Sequence, residues 1–424
     1  MTTSAPRSRL SRRLSLTDAV GIGLGAMLGA GAFAAPGPAA ALAGSGVLLA
    51  LVLAGMVAYA NATSTARLSA VQPEAGGVYA FGRKRLNDTA GFTAGWAFVA
   101  GKLASLTAMA LTFGFYAFPD HPRIAGVGAV IAFTALNLSG IHRTAKIATV
   151  GGVLVAIVLL MVGLEELAAP GDGSSRGATF SHLSPLAGTG GIHGLLGAAG
   201  IMFFAFAGYA RIATLGEEVK DPERTIPLAV PLALGVAFLV YLVSISGALV
   251  AVGPDVLAHS QAPLETAARA VIGDGTAFIV RVGAAIAVLG VLLSLLAGVS
   301  RTAFAMAADG ELPSALSAVS KKTKVPHIAQ LTVGVVVCAA VIAVPTKDAI
   351  ATSSLLILTY YSIAHLSALR LAPEQKRPRF LAPLGLVGCA ALALNLPAKD
   401  LLTGLGILAF GLIGRALLKS VRRN

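Results

Sequence analysis

Lys102 is the side chain in this sequence that most needs a chemical reason. It lies about twelve residues into an apolar run that starts near residue 90, so at about 1.5 Å per helical residue it is roughly 18 Å from the nearer polar end. Snorkelling does not reach that far. An ammonium group at such depth costs roughly a few kcal/mol unless it is paired, deprotonated or facing water. Three roles are open to it: a proton carrier, a fixed cation, or a hydrogen-bond donor tying one helix to the next. Two further segments offer backbone chemistry instead. The run 18-43 carries Gly21, Gly23, Gly25, Gly29 and Gly31 with no large polar group in its middle, and Gly29 and Gly31 mark the expected break. The run 192-215 is interrupted near its middle by Phe203-Phe204-Ala205-Phe206-Ala207-Gly208-Tyr209. Where a helix breaks inside an apolar medium, one half starts with N–H groups that attract a carboxylate, and the other ends with carbonyls that accept from an ammonium. One small zwitterion would satisfy both. The competing reading of the first-run glycines is close packing through small-xxx-small contacts.

Other candidates are weaker. Arg211 follows the second interruption and lies about 7 Å from the polar end near Glu217. It either snorkels or acts as a gate cation with Glu217 or Glu218. Glu165 and Glu166 read as a solvated helix end. The histidines fall mostly in loops, so no metal-ligand constellation is visible; His365, inside a span, reads as a satisfied packing residue. Cys338 and Cys389 both fall inside apolar runs and read as inert packing residues. The glycine run is no dinucleotide or phosphate loop, since no strand precedes it and no Gly-Lys-Ser or Gly-Lys-Thr follows. With almost no carboxylates in the spans, converging acid, base and nucleophile groups are lacking. No catalytic residue and no cofactor are therefore expected, and a polytopic membrane enzyme is disfavoured.

The elements that must position these groups are membrane helices. A chain with 56% apolar residues, 12% charged residues and mean hydropathy +0.81 cannot present an ordinary polar surface to water. Apolar runs long enough to cross a bilayer fall at 18-43, 46-68, 90-118, 123-139, 145-166, 192-215, 227-252, 276-300, 328-345, 349-370, 380-395 and 401-418. The spacing predicts an all-α integral membrane protein with about 12 transmembrane helices in a single transmembrane domain, 1-424. Spans one and six are corresponding members of two five-span halves, so their weak points are related by an inverted repeat. Paired interruptions of this kind point to a transporter site, because unwound backbone at that depth must line a cavity.

A net charge of +13 would suggest nucleic acid in a soluble chain, but here the charges sort by side. Of 32 Lys and Arg, 24 fall in loops and ends on the side that also holds both termini. The positive-inside bias therefore predicts cytoplasmic termini in a plasma, or inner, membrane, with lipid as partner and no nucleic acid. The gap from about 165 to 191 reads as an external loop. The basic head followed by apolar residues imitates a signal peptide, but the run is too glycine-rich for one.

Four segments together resemble the amino acid, polyamine and organocation superfamily, and within it the branch that includes cationic amino-acid transporters. They are Gly23 to Phe33, Pro73 to Tyr79, Phe204 to Tyr209 running on through Glu217 to Pro227, and Ser300 to Pro313 continuing through Lys324 to His327. The resemblance implies a LeuT-like fold in which spans one to five (about 18-166) and six to ten (about 192-370) are inverted repeats, followed by extra helices at about 380-418. It further implies that a substrate carboxylate meets the backbone at Gly29, Ala30 and Gly31, with Met27 and Leu28 just before. The amine would meet carbonyls at Phe204, Phe206 and Ala207, beside Gly208, and the Phe206 ring would close over the ligand. Proton-coupled members carry a lysine in span five; this chain has only Lys146 there, at the edge, so Lys102 is read as supplying the missing charge. Cationic-substrate members carry an acid just after the span-six segment, where this chain has Ala210 and then Arg211. The expectation is a secondary transporter of an amino acid or related amine working by alternating access with a proton or counter-substrate. A non-transporting nutrient receptor and a channel are the other readings.

Overall fold

The computed structural model describes residues 14–72, 76–140, 144–168, 190–213, 219–372 and 380–421. Glu217 and Glu218, and most of the expected external loop, lie outside the described residues. Everything regular among the described residues is helical, apart from one isolated bridge between Leu14 and Val219.

The first apolar run becomes three helices, α1 (Leu16–Met27), α2 (Ala30–Ala34) and α3 (Pro36–Ala43). Ser15 starts α1 with a reciprocal cap: its hydroxyl accepts from the Asp18 amide at 3.2 Å, and the Asp18 carboxylate accepts from the Ser15 amide at 2.8 Å. The helix then stops at Leu28–Gly29, where the backbone leaves helical geometry before α2 begins. After α4 (Val47–Val71) comes α5 (Gly77–Arg85), a short helix ending in Arg83, Lys84 and Arg85. Next are α6 (Asp88–Ala117), α7 (Pro122–Leu138) and α8 (Thr144–Ala168). The second interrupted segment is α9 (Gly191–Phe206), a 3-10 turn at Ala207–Tyr209, and α10 (Ala210–Ala213). Then come α11 (Pro222–His259), α12 (Pro263–Val271), α13 (Asp274–Ala308), α14 (His327–Ala343) and α15 (Thr346–Ala368). Helices α16 (Leu381–Leu394) and α17 (Ala398–Val421) end the chain.

Among the described residues, nine helical segments are long and apolar enough to cross a membrane. The remaining three apolar runs form α7, α14 and α16, of 17, 17 and 14 residues. Lys102 sits on α6, which packs along α15 at the centre of the bundle. The periphery is apolar: Leu154, Met161, Val335, Phe410 and Leu417 all stand more than half exposed, which suits a lipid-facing belt.

Three features differ from the sequence-based expectation. Helices α5 and α12 are additional elements, too short or too polar to register as spans. Helix α11 runs from Pro222 to His259, well beyond 227-252, with Gly253 adopting a left-handed φ of 76° where the two parts join. The pair Glu165 and Glu166 is not a uniformly solvated end: Glu165 is exposed but Glu166 is only 2% exposed. The cause is a close approach of α8 and α11. A Cβ on Gly163 would lie 2.9 Å from the Ser244 Cα, and one on Gly247 would lie 2.6 Å from the Gly163 carbonyl oxygen and the Glu166 carboxylate. The two glycines let the backbones meet and draw the Glu166 side chain between them.

Candidate functional site

The breaks in the first and sixth apolar runs touch. A Cβ on Gly31 would fall 2.3 Å from the Cα of Ala205, and one on Gly208 would fall 2.3 Å from the carbonyl oxygen of Ala26. Only glycine permits such backbone contact, so these two positions bring α2 against α9 and the 3-10 turn against α1. Gly152 of α8 serves the same purpose towards α1, since a Cβ on it would lie only 2.4 Å from the Gly25 Cα. Within the first run, Gly31 permits close packing, and Gly29 sits at the break itself.

Tyr241 of α11 joins the two breaks by hydrogen bonding. Its hydroxyl lies 2.8 Å from the Met27 carbonyl, at the end of α1, and 2.9 Å from the Ala205 carbonyl, near the end of α9. One phenolic proton serves these two acceptors. On the other side of the break, Ala30 and Gly31 open α2, so their amides have no carbonyl one turn earlier to receive them.

A cavity of about 460 Å³ lies against this junction, within the range of small-molecule sites. Met27, Gly29, Ala30 and Gly31 line it from the first break, and Phe204, Ala205, Ala207 and Gly208 from the second. Lys102 and Arg211 also line it. Two of the expected site residues stand elsewhere. Leu28 is fully buried, and Phe206 packs edge-on against Tyr241 with ring centroids 5.3 Å apart. Phe204, two residues earlier, is the phenylalanine of this segment that faces the cavity.

Lys102 is 7% exposed. Its ammonium lies 3.4 Å from the Ala207 carbonyl oxygen and 5.9 Å from the Phe98 ring centroid. The hydrogen bond to a neighbouring helix that the sequence left open is therefore present, and its acceptor belongs to the second break. Ser105, one turn further along α6, adds a hydroxyl that donates to the Gly101 carbonyl and is 2.7 Å from the Ser353 hydroxyl.

The cavity extends towards the Lys- and Arg-rich end, where Ser69, Gly77, Tyr79, Arg301 and Thr302 line it. At the opposite end Tyr116 donates to the Phe33 carbonyl at 2.9 Å and the two rings meet edge-on at 5.5 Å. Helix α12 covers that end, held by Glu265, which accepts from Arg269 at 2.9 Å and Arg281 at 2.7 Å. At the basic end Tyr79 donates to Asp309 at 2.7 Å and accepts from Arg83 at 2.9 Å. Burial, and then the hydrogen bond to anionic Asp309, push the Tyr79 phenol up to about 12, so it remains a donor at neutral pH. Beside it, Glu311 accepts from Arg415 at 2.6 and 3.0 Å.

His365 is buried with Nε2 2.7 Å from Asn61 Oδ1, and Cys389 Sγ donates to the same oxygen at 3.2 Å. Cys338 and Cys389 are free thiols. No group of His, Cys, Asp and Glu among the described residues is arranged to hold a metal ion. Tyr360 and Tyr361 of α15 also line the cavity, and neither they nor Tyr241 were legible as site residues. Their signal was a hydroxyl inside an apolar run, which needs a partner in a membrane.

Comparison with known proteins agrees with this architecture. The amino acid permease family profile matches residues 18–390. An uncharacterized transporter of Mycobacterium tuberculosis is 47% identical over 98% of this chain and 93% of its own. The branched-chain amino acid permease BcaP of Bacillus subtilis is 25% identical over 77% of this chain and 73% of its own. The vacuolar cationic amino acid transporter 4 of Arabidopsis thaliana is 27% identical over 78% and 58% respectively. A multi-pass helical bundle with a central cavity and a matching family profile is a membrane transporter for a small molecule, not an enzyme, and the chain belongs to the amino acid permease family.

Proposed function

We propose that this protein is a secondary active transporter that carries an amino acid across the plasma membrane by alternating access, with a proton or a counter-substrate as the coupled species. The observation that carries the reading is the meeting of two interrupted helices at the wall of one cavity, with freed amides on one side and carbonyls on the other. The substrate carboxylate docks at Ala30 and Gly31, and its amine docks at the carbonyl side around Phe204 and Ala207. Lys102 supplies the charge of the site, as proton carrier or fixed cation. Arg211, with Glu217 and Glu218, forms the gate on the basic side.

The reading takes all twelve apolar helices as spans, α7, α14 and α16 among them, with two inverted five-span repeats and cytoplasmic termini. In that orientation the cavity faces inward: Arg301 and Thr302 stand at its mouth, while α12 and the Phe33–Tyr116 contact close the outer side.

Purified protein in detergent is screened for thermal stabilisation by amino acids, since a ligand at about 100 times its Kd adds roughly 2.7 kcal/mol. The stabilising compounds are then offered as labelled substrate to proteoliposomes under an imposed proton gradient or with internal amino acid. Saturable uptake driven by either condition is the expected result. Binding without uptake would instead identify a nutrient receptor, and uptake that never saturates a channel.

A further inference from the structure

The cavity contains cations and, among the described residues, no carboxylate. Lys102, Arg211 and Arg301 line it, and its other polar lining consists of hydroxyls and backbone groups. Lys102 is the decisive member, because it is nearly buried and its hydrogen-bond partner is the Ala207 carbonyl, at a long 3.4 Å. A neutral dipole and the face of Phe98 only partly compensate a buried ammonium, which calls for an anion at close range. Nothing described in the cavity wall provides one.

The position of Lys102 narrows what that anion is. Ala207 lies between Ala205, which touches Gly31, and Gly208, which touches Ala26. The ammonium therefore stands beside the place where a substrate's own amine and carboxylate would bind, within reach of a short side chain. A lysine, arginine or polyamine in that place would set its side-chain cation against Lys102 in a medium that screens poorly. A substrate with a carboxylate on its side chain would pair with Lys102 and bring the missing counter-charge with it.

Resting on the amino-acid transport reading above, we propose that the substrate is an acidic amino acid of aspartate or glutamate type, whose side-chain carboxylate pairs with Lys102 while its α-amino and α-carboxyl groups occupy the two helix breaks. The Lys102 ammonium has three protons and spends one on the long bond to Ala207, which leaves donors for both oxygens of that carboxylate.

The test is uptake into proteoliposomes of labelled L-glutamate, L-aspartate, L-leucine and L-lysine, each also used as competitor of the others. The acidic pair is expected to be taken up with at least about tenfold higher kcat/KM than leucine or lysine. Lys102→Gln, which removes a buried charge partner, is expected to lower that value for glutamate by about 30-fold or more and to abolish the preference for glutamate over leucine. Lys102→Arg is expected to restore the preference in part. Should Lys102→Gln fail to reconstitute, the wild-type substrate ranking and the arginine variant still decide. Leucine or lysine as the preferred substrate, or glutamate preference surviving in Lys102→Gln, would overturn the proposal and leave an amino-acid transporter of another specificity. Failure of all four substrates, together with a silent stabilisation screen, would overturn both the proposal and the transport reading beneath it.

Discussion

The hydroxyl of Tyr241 lies 2.8 Å from the carbonyl oxygen of Met27, and the same hydroxyl lies 2.9 Å from that of Ala205. One buried side chain on α11 thus holds the ends of two different interrupted helices. With the ring fully inside the bundle, the hydroxyl proton has no water to exchange with and remains shared between the two carbonyls.

Tyr241→Phe keeps the ring and its edge-on packing on Phe206 but removes the proton. The expected stability loss is about 1–2 kcal/mol, because the Met27 carbonyl still accepts from the Gly29 amide. Transport is expected to fall further than stability, since the relative position of the two breaks defines the substrate site. Melting in detergent and initial uptake rates, compared on the same preparation, check this.

Gly208 offers a test of the backbone contact itself. A methyl group there would meet the Ala26 carbonyl oxygen at 2.3 Å and its carbon at 2.4 Å, and neither is a side-chain tip that could swing aside. Gly208→Ala is expected to cost about 1–3 kcal/mol and to abolish uptake. Gly235→Ala on α11, where nothing stands within 4 Å of the added carbon, is expected to leave both properties intact. Equal effects from the two variants would mean that close approach is not what Gly208 provides.

These two residues also mark how far the sequence could be read. A helix break is a local property, and the glycines of the first run announced it to within a residue. Lys102 was legible because a lone charge deep in an apolar run has few uses. Partnerships across the chain were not legible. Tyr241 looks like any aromatic in a span until Met27 and Ala205 are brought to it. Glu166 looks like a solvated helix end until Gly163 and Gly247 bring α8 and α11 together. Phe204 and Phe206 are two residues apart in a helix, about 200° around its axis, and only the packed neighbours decide which faces the cavity. Helices α5 and α12 escaped notice because nine residues, with Arg83, Lys84 and Arg85 in one and Glu265 and Arg269 in the other, leave no long apolar run.

Lys102→Ala removes the ammonium beside the second break and leaves the Ala207 carbonyl for substrate or water. In the transport reading its charge takes part in coupling, so the uptake that remains in this variant is expected to lose its response to an imposed proton gradient. Uptake measured with and without the gradient, in wild type and variant, gives the answer. A gradient response unchanged in the variant would assign coupling to another group.

The last helix contributes its own contact to the basic end of the molecule. Arg415 of α17 bonds both oxygens of Glu311, and also the Thr89 hydroxyl and the Asp88 carbonyl at the start of α6. The Glu311 and Arg415 side chains are only 4% and 9% exposed. Burial alone would raise the Glu311 carboxyl, but the hydrogen bond and charge of Arg415 outweigh it and hold the carboxyl below the usual carboxylate range. A depressed value means that the ionised carboxylate stabilises the fold at every pH above about 4.3, the unfolded value, and that this contribution is lost as pH falls through the lower folded value. Removing Arg415 leaves the buried Glu311 carboxylate only the longer 3.7 Å contact with Lys419, so Arg415→Met is expected to cost about 3 kcal/mol at neutral pH. The double variant Glu311→Gln with Arg415→Met is expected to recover most of that loss and to melt with a flatter acid limb than wild type. A double variant as unstable as Arg415→Met alone would show that Thr89 and Asp88, not Glu311, are what Arg415 holds in place.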